Sequence, residues 1–407
     1  MLKVIIIGGG IGGLTLARAC LDAGIQVEVY EKRSLAEMLA GPGGIFIQQN
    51  AMRVYQLLDS GQIYAHLYQQ GGIILEGGFF NKSGKLLYLN SPKFVQEQNL
   101  GICLLRSELQ QILYESLPAG TVKTGCAFEN FEEKADTVQV FFQNGTNVEG
   151  SVLVGADGLY SNVRARLQGL ERLEAPIYSG SCCWRGYFEG SGLPLDERYS
   201  WSEYWGQGDR FGYFDVGSGR YSFYAFTNTP AGGTDDAEGG ALNALRSRFS
   251  SYANPVPAIL EALTDQPIYR DDIYDREPLG KSWGQGRVTL VGDAAHPVQP
   301  NLGQGGCMAI EDAFELVKQL ASISVETVPV SLRQFEASRC ERVTRVFSTS
   351  RQVGQLGQAE HPIACFMRNW IYKITPTWLA DLQFKWLFDY RPYSQPTSLG
   401  TEKLPLL

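Results

Sequence analysis

Val4-Ile5-Ile6-Ile7-Gly8-Gly9-Gly10-Ile11-Gly12-Gly13 opens the chain and decides its fold. The four apolar residues are mostly β-branched and read as a buried strand of a parallel sheet. Gly8-x-Gly10-x-x-Gly13 follows without a break. Leu14, Leu16, Ala17, Ala19 and Cys20 then continue as a helix that stops at Ala23-Gly24. Gln26 to Tyr30 is a second strand, and Glu31 sits at its end. Gly8 permits the tight strand-to-helix turn, Gly10 lets a pyrophosphate approach the backbone, and Gly13 lets helix and strand pack closely. The helix N-terminus offers free N–H groups to phosphates. Glu31 is placed to accept hydrogen bonds from the two hydroxyls of an adenosine ribose. The stretch therefore predicts dinucleotide binding, and leaves both FAD and NAD open. Lys3 leads into a strand and glycines with no small-residue cleavage site, so no secretory signal is expected.

Outward from this start, the totals bound the rest. At 407 residues the chain has room for two domains or one large composite one. A net charge of −8 argues against a nucleic-acid partner. The eight cysteines form no CxxC pair, and with only three histidines they support neither a metal site nor a disulfide framework. Reduced thiols in a cytoplasmic setting are the expectation. No apolar run reaches the roughly 18 residues a membrane span needs.

Two further turns have the texture of the first. Val148 to Val154 reads as a strand that ends in Gly155-Ala156-Asp157-Gly158, followed by Ser161 and Arg164. Asp157 there is either a dinucleotide contact or a brace for its loop and the helix beyond. Arg287 to Val291 reads as a buried strand ending in Gly292-Asp293-Ala294-Ala295-His296-Pro297. Pro300-Asn301-Leu302-Gly303-Gln304-Gly305-Gly306 and a helix from Cys307 to Leu320 follow. Asp293 can bond a ribityl chain, and the glycine loop presents N–H donors to a ring edge that becomes negative on reduction. His296 reads as a loop brace. Arg106 precedes a helix for which Ser107-x-x-Gln110 is the expected capping box, and Asn50 is expected to cap a helix through Met52 and Leu58. Asn144-Gly145 signals a hairpin.

From Tyr178 to Thr227 aromatic residues dominate short alternating stretches with glycine turns. That predicts an antiparallel sheet with one face as core and one free to roof a cavity. The tail from Ile363 to Phe388 is expected to be helical and to pack over the core. A membrane-surface role for it is possible but is not the favoured reading.

In order, Gly8-x-Gly10-x-x-Gly13 with Glu31, Gly155-Ala156-Asp157-Gly158, and Gly292-Asp293 with Gly303 to Gly306 resemble the single-component FAD-dependent aromatic hydroxylases, the para-hydroxybenzoate hydroxylase-like flavoprotein monooxygenases. The resemblance covers nearly the whole chain. Within that family, Asp271-Asp272-Ile273-Tyr274-Asp275-Arg276, Trp283 to Leu290 and Gln299 to Asp312 are most similar in motif to zeaxanthin epoxidase. Cys183-Trp184-Arg185-Gly186 instead resembles the small-aromatic hydroxylases, which carry an arginine at the start of the substrate sheet. The epoxidases also have N- and C-terminal regions not seen in this sequence.

The resemblance implies an α/β fold: a Rossmann-like FAD-binding domain in two parts (1–175 and 276–355), an inserted antiparallel-sheet substrate domain (176–275) and a helical C-terminal segment (356–407). It implies FAD as cofactor, NAD(P)H as a transient co-substrate and O₂, with a flavin C4a-hydroperoxide delivering oxygen to an aromatic ring or an isoprenoid alkene. The implied cofactor contacts are Gly8, Gly10, Gly12, Gly13, Glu31, Arg33, Gly44, Arg106, Asp157, Asp293, Gly303, Gly305 and Gly306. Glu31 takes the ribose, Arg106 the pyrophosphate region and Asp293 the pyrophosphate or ribityl chain, while Gly44 and Gly306 approach the flavin with backbone. Arg185 and Tyr213 are the candidates to bind an acidic or phenolic substrate, their alternatives being a surface charge and a core tyrosine. The partner is a small molecule. A flavin reductase or dehydrogenase of isoprenoids, and a non-enzymatic prenyl-binding escort on the same fold, are the competing readings.

Overall fold

The computed structural model describes residues 2–90, 92–264 and 266–392. Its centre is a five-stranded parallel sheet in the order Val288–Leu290, Val152–Gly155, Lys3–Ile7, Gln26–Tyr30, Val122–Lys123. The register explains the site. Ile7 pairs with both Gly155 and Tyr30, and Gly155 pairs with Leu290. The three strands that carry the glycine-and-acid turns, and the one that carries Glu31, therefore end at one level, on the carboxyl edge where open α/β sheets bind ligands. Their side chains are almost wholly buried: Val4, Ile5, Ile6, Val29, Val152, Leu153, Val154 and Leu290 are inaccessible. The helices Ile11–Asp22, Gly305–Leu320 and Val328–Gly357 cover the sheet, the second packed between the other two.

A seven-stranded sheet forms the second layer, in the order Tyr269–Asp275, Ile177–Glu189, Arg220–Asn228, Asp209–Gly217, Trp201–Trp205, Gly77–Asn81, Leu86–Leu89. Its pairing is antiparallel except between Trp201–Trp205 and Gly77–Asn81, so two of its strands come from well ahead of the aromatic stretch. Strand alternation sorts its side chains. Trp184, Phe188, Phe211, Tyr213, Phe223 and Ala225 pack against the helices Ala241–Phe249 and Val256–Ala262. Cys183, Arg185, Arg210, Phe214, Tyr224 and Phe226 face the other way, into a cavity.

Two local expectations are corrected. Asn50 lies inside the helix Gln49–Tyr55 rather than at its cap. The helix Arg106–Glu115 starts at Arg106, and its box is closed by Glu108, whose carboxylate accepts from the Leu105 N–H at 3.2 Å. Gln110 instead turns its amide beneath the first glycine turn, where it donates to the Met38 carbonyl at 2.9 Å. Asn144-Gly145 does turn a hairpin, between Val138–Phe142 and Asn147–Gly150. The tail forms two helices, Pro362–Ile374 and Thr377–Phe388. Among the described residues no helix is long and apolar enough to cross a membrane.

Candidate active site: one cavity between two sheets

A cavity of about 830 Å³ runs from the carboxyl edge of the parallel sheet to the inner face of the seven-stranded one. At its first end lie Gly8, Gly10, Gly12, Glu31 and Arg33, then Arg106, Asp157 and Asp293, then Gly44, Gly303, Gly305 and Gly306. Of the glycines singled out by sequence only Gly13 is off the cavity, and packing explains it. A Cβ on Gly13 would sit 2.0 Å from the Gly8 carbonyl oxygen. Gly8 is forced by its own backbone, with φ +112°, and by Ala156, whose carbonyl oxygen would lie 2.4 Å from an added Cβ. Gly10 faces open space. Gly44 is tied from behind: its N–H donates to Ser222 Oγ at 2.7 Å, and a side chain there would strike Phe214.

Glu31 accepts from the Gly9 N–H at 2.8 Å and from Arg33 through its N–H and Nε, both at 2.9 Å. Burial alone would raise its pKa, but these donors from Arg33 and Gly9 hold it below the ordinary value. Asp157 Oδ2 accepts from the N–H groups of Asn162 and Val163, so it braces the helix beyond, while its buried Oδ1 has no partner among the described residues. Asp293 and Arg106 are accessible because they line the cavity. Enough protein surrounds them for burial to raise the Asp293 pKa and lower that of Arg106, and each charge counters the other's shift.

Sequence reasoning missed what holds the third turn in place. His296 Nε2 lies 2.6 Å from Asp312 Oδ2, which also accepts from the Gly292 N–H at 2.9 Å. Arg339 bonds Asp312 at 2.7 Å and Glu311 at 2.8 Å, and Arg342 bonds Glu311 at 2.7 Å. Asn50 Nδ2 donates to Glu311 at 2.6 Å and to Gln304 at 2.9 Å. Burial would raise the Asp312 pKa, but His296 and Arg339 bring it down to about 2. His296 is thus a brace, as expected, with a carboxylate partner the sequence did not reveal.

The far end of the cavity is walled by Ile74, Phe79, Leu100, Trp201, Phe214, Phe226 and Phe388. Within this apolar wall stands a buried ion pair that sequence reasoning also missed. Arg210 meets Glu203 at 3.1 Å. The same carboxylate accepts from Trp205 Nε1 at 2.8 Å and from the Tyr224 hydroxyl at 2.7 Å. The other Arg210 amine bonds Asn301 Oδ1, and the guanidinium covers the Phe226 ring at 4.2 Å. The available signal was two opposite charges inside an aromatic run. Arg185 does reach the cavity, where it is ion-paired to Asp271. Tyr213 does not: its odd position in the strand turns it to the opposite face, among Phe188, Tyr204 and the covering helices.

Residues 1–350 match a family model described as an FAD binding domain. The chain belongs to that family. It is an FAD-dependent monooxygenase of the aromatic-hydroxylase type. It is 37% identical over 397 residues to the aurachin C monooxygenase/isomerase of Stigmatella aurantiaca, covering 96% of this chain and 99% of that one. It is 37% identical to the chloroplastic zeaxanthin epoxidase of Arabidopsis thaliana over 84% of this chain, but spans only 53% of that protein's length. Klebsiella pneumoniae HpxO, solved with FAD and uric acid, superposes with a TM-score of 0.86 at 27% identity, over 97% of this chain and 98% of that one. The monooxygenase's own cavity fits the cofactor. Two helix N-termini without side-chain caps open onto it at Gly10 and Gln304. Asp293 faces the cavity with no side-chain hydrogen bond among the described residues, and Gly10 leaves room for backbone-to-ligand approach.

Proposed function

We propose that this monooxygenase inserts one oxygen atom of O₂ into a neutral, lipophilic small molecule, an aromatic ring or an isoprenoid alkene. The observation that carries this reading is the Glu203–Arg210 pair. It places a buried cation in the substrate end of the cavity and neutralises it from within the protein. Arg185, which lines the cavity from the same sheet face, is likewise paired. An acidic substrate would have to displace a protein carboxylate, whereas a neutral one meets apolar and aromatic walls. The relatives named for aurachin C and zeaxanthin support the same class.

FAD, when bound and reduced by NAD(P)H, supplies O₂ activation, one oxygen atom going to substrate and the other leaving as water. The protein's share is positioning and exclusion of water. Glu31 and Arg33 receive the ribose, and the Gly8–Gly13 turn receives the pyrophosphate at the helix N-terminus. Arg106 supplies positive charge beside it. Asp293 would accept from the ribityl hydroxyls, and the N–H groups of Gly305 and Gly306 would donate toward the flavin ring, while the Gly303 N–H is spent on the Pro300 carbonyl at 2.9 Å. Asp157 keeps its loop in shape. Trp201, Phe79 and Phe388 exclude water from the reacting edge. The free thiols, eight of eight, suit a cytoplasmic setting.

The test is oxygen uptake by the purified FAD-loaded protein with NADH or NADPH, on a panel of carotenoids, neutral prenylated aromatics and phenolic acids. One O₂ consumed per NAD(P)H with a neutral lipophile is the expected result. Stimulation by phenolic acids alone overturns the substrate class, and substrate turnover without O₂ uptake would mark a reductase.

A further inference from the structure

The helix Pro362–Ile374 is amphipathic the wrong way round for water. Its exposed side carries Ile363, Phe366, Met367, Trp370, Ile371 and Ile374, a stripe at the spacing of one helical face. Phe366 is 67% exposed. Its inward side carries Cys365, Arg368 and Tyr372, with Arg368 donating to the carbonyls of Leu356, Gly357 and Gly206. The next helix, Thr377–Phe388, repeats the pattern: Trp378 (65% exposed), Leu379 and Leu382 point out, while Asp381 is buried and bonded to the Tyr88 hydroxyl at 3.0 Å. Large apolar side chains exposed in such number on two successive helices mark an interaction site.

We propose that these two outward faces seat on an anionic lipid bilayer, at the boundary between headgroups and acyl chains. Charge favours this occupant. The chain as a whole is at −8, yet within the two helices the one carboxylate is the buried Asp381 and the exposed charges are Lys373 and Lys385; the carboxylates Glu360, bonded to Asn228, and Asp389 stand just outside them. Two exposed tryptophans flanked by lysines are what an interfacial helix presents to anionic headgroups. Position agrees. The inward sides of the same helices close the substrate end of the cavity: Tyr372 packs edge-on to Trp205 at 5.0 Å and against Phe79 at 5.8 Å, and Phe388 lines the wall. The seating rests on the exposed surface alone. Its use, passage of a lipophile from bilayer to cavity without crossing water, rests on the substrate reading above.

The experiment uses the full-length FAD-loaded protein and vesicles of phosphatidylcholine with or without phosphatidylglycerol. The expected result is co-sedimentation with the anionic vesicles and a blue shift of tryptophan emission. Trp370→Ser/Trp378→Ser should weaken vesicle binding by at least about tenfold with flavin content unchanged. Lys373→Glu/Lys385→Glu should erase the preference for phosphatidylglycerol. Protein left in the supernatant with every vesicle overturns the proposal. So does a dimer in gel filtration that the tryptophan variant splits, because the occupant is then a second copy. Failed sedimentation with intact turnover of a neutral lipophile in detergent removes the docking alone. A switch of substrate class in the oxygen assay leaves the docking standing.

Discussion

Two buried carboxylate–arginine clusters flank the cavity, and they differ in what they face. Glu311, Asp312, Arg339, Arg342 and His296 lie beneath the loops from Gly292 to Gly306, and none of them lines the cavity. Glu203 and Arg210 stand in its wall. Both clusters are buried and hydrogen-bonded, so their chemistry is alike. The sealed one touches only the loops that line the cavity, so it bears on their geometry. The open one faces the cavity itself, which is why the proposed charge preference is placed on it. Pairing alone therefore does not reveal a role; the side that remains uncovered does.

The harshest way to break this comparison is Arg339→Met. It takes the shared cation from two buried carboxylates, leaving Glu311 with Arg342 and Asp312 with His296, and should cost about 3 kcal/mol of stability in urea unfolding, with FAD lost alongside. Acid titration reads the same cluster. The Asp312 carboxyl is held down to about 2 against an ordinary 3.8, so its contribution is present above that ordinary value and lost as pH falls toward 2. Asp312→Asn should flatten that limb of the curve. Asp293→Ala should lower FAD affinity by about tenfold or more, roughly 1.4 kcal/mol, without unfolding the protein. A variant that purifies fully yellow would reject its cofactor role.

Glu203→Gln sharpens the other half. Freed of its counter-charge, Arg210 should reduce kcat/KM for neutral lipophiles by about tenfold and admit carboxylated rings. Arg185→Ala should keep FAD and lower turnover only a few-fold, since a partly exposed pair is worth about 1 kcal/mol or less. Tyr213→Phe should leave turnover unchanged, and a large kinetic effect would mean that its side of the sheet communicates with the cavity.

The cofactor half was legible because its signals are local. A strand, a glycine turn and a helix follow one another within a dozen residues at Val4–Leu14, and recur at Val152–Asp157 and Val288–Gly306. The parallel register then brings the three together. The sealed cluster was illegible because its partners are remote in the chain: Asn50 reaches Gln304 and Glu311, and no local pattern announces such pairs. Tyr213 shows a different limit. Its neighbours marked a strand, but a one-residue change of phase decides between core and cavity. Gly44 shows a third: the sequence offered a backbone approach, and the folded chain spends that N–H on Ser222.

The carboxyl-terminal helix is lashed to the cofactor-binding half from below. Arg53 and Arg342 donate to the last carbonyls of Thr377–Phe388 and to Tyr390, and Arg342 also holds Glu311. Clipping this greasy end to improve handling would thus be no cosmetic edit. It would unpin Arg342 and take Phe388 out of the wall, and the shortened enzyme should squander reducing equivalents as hydrogen peroxide even when its preferred molecule is at hand.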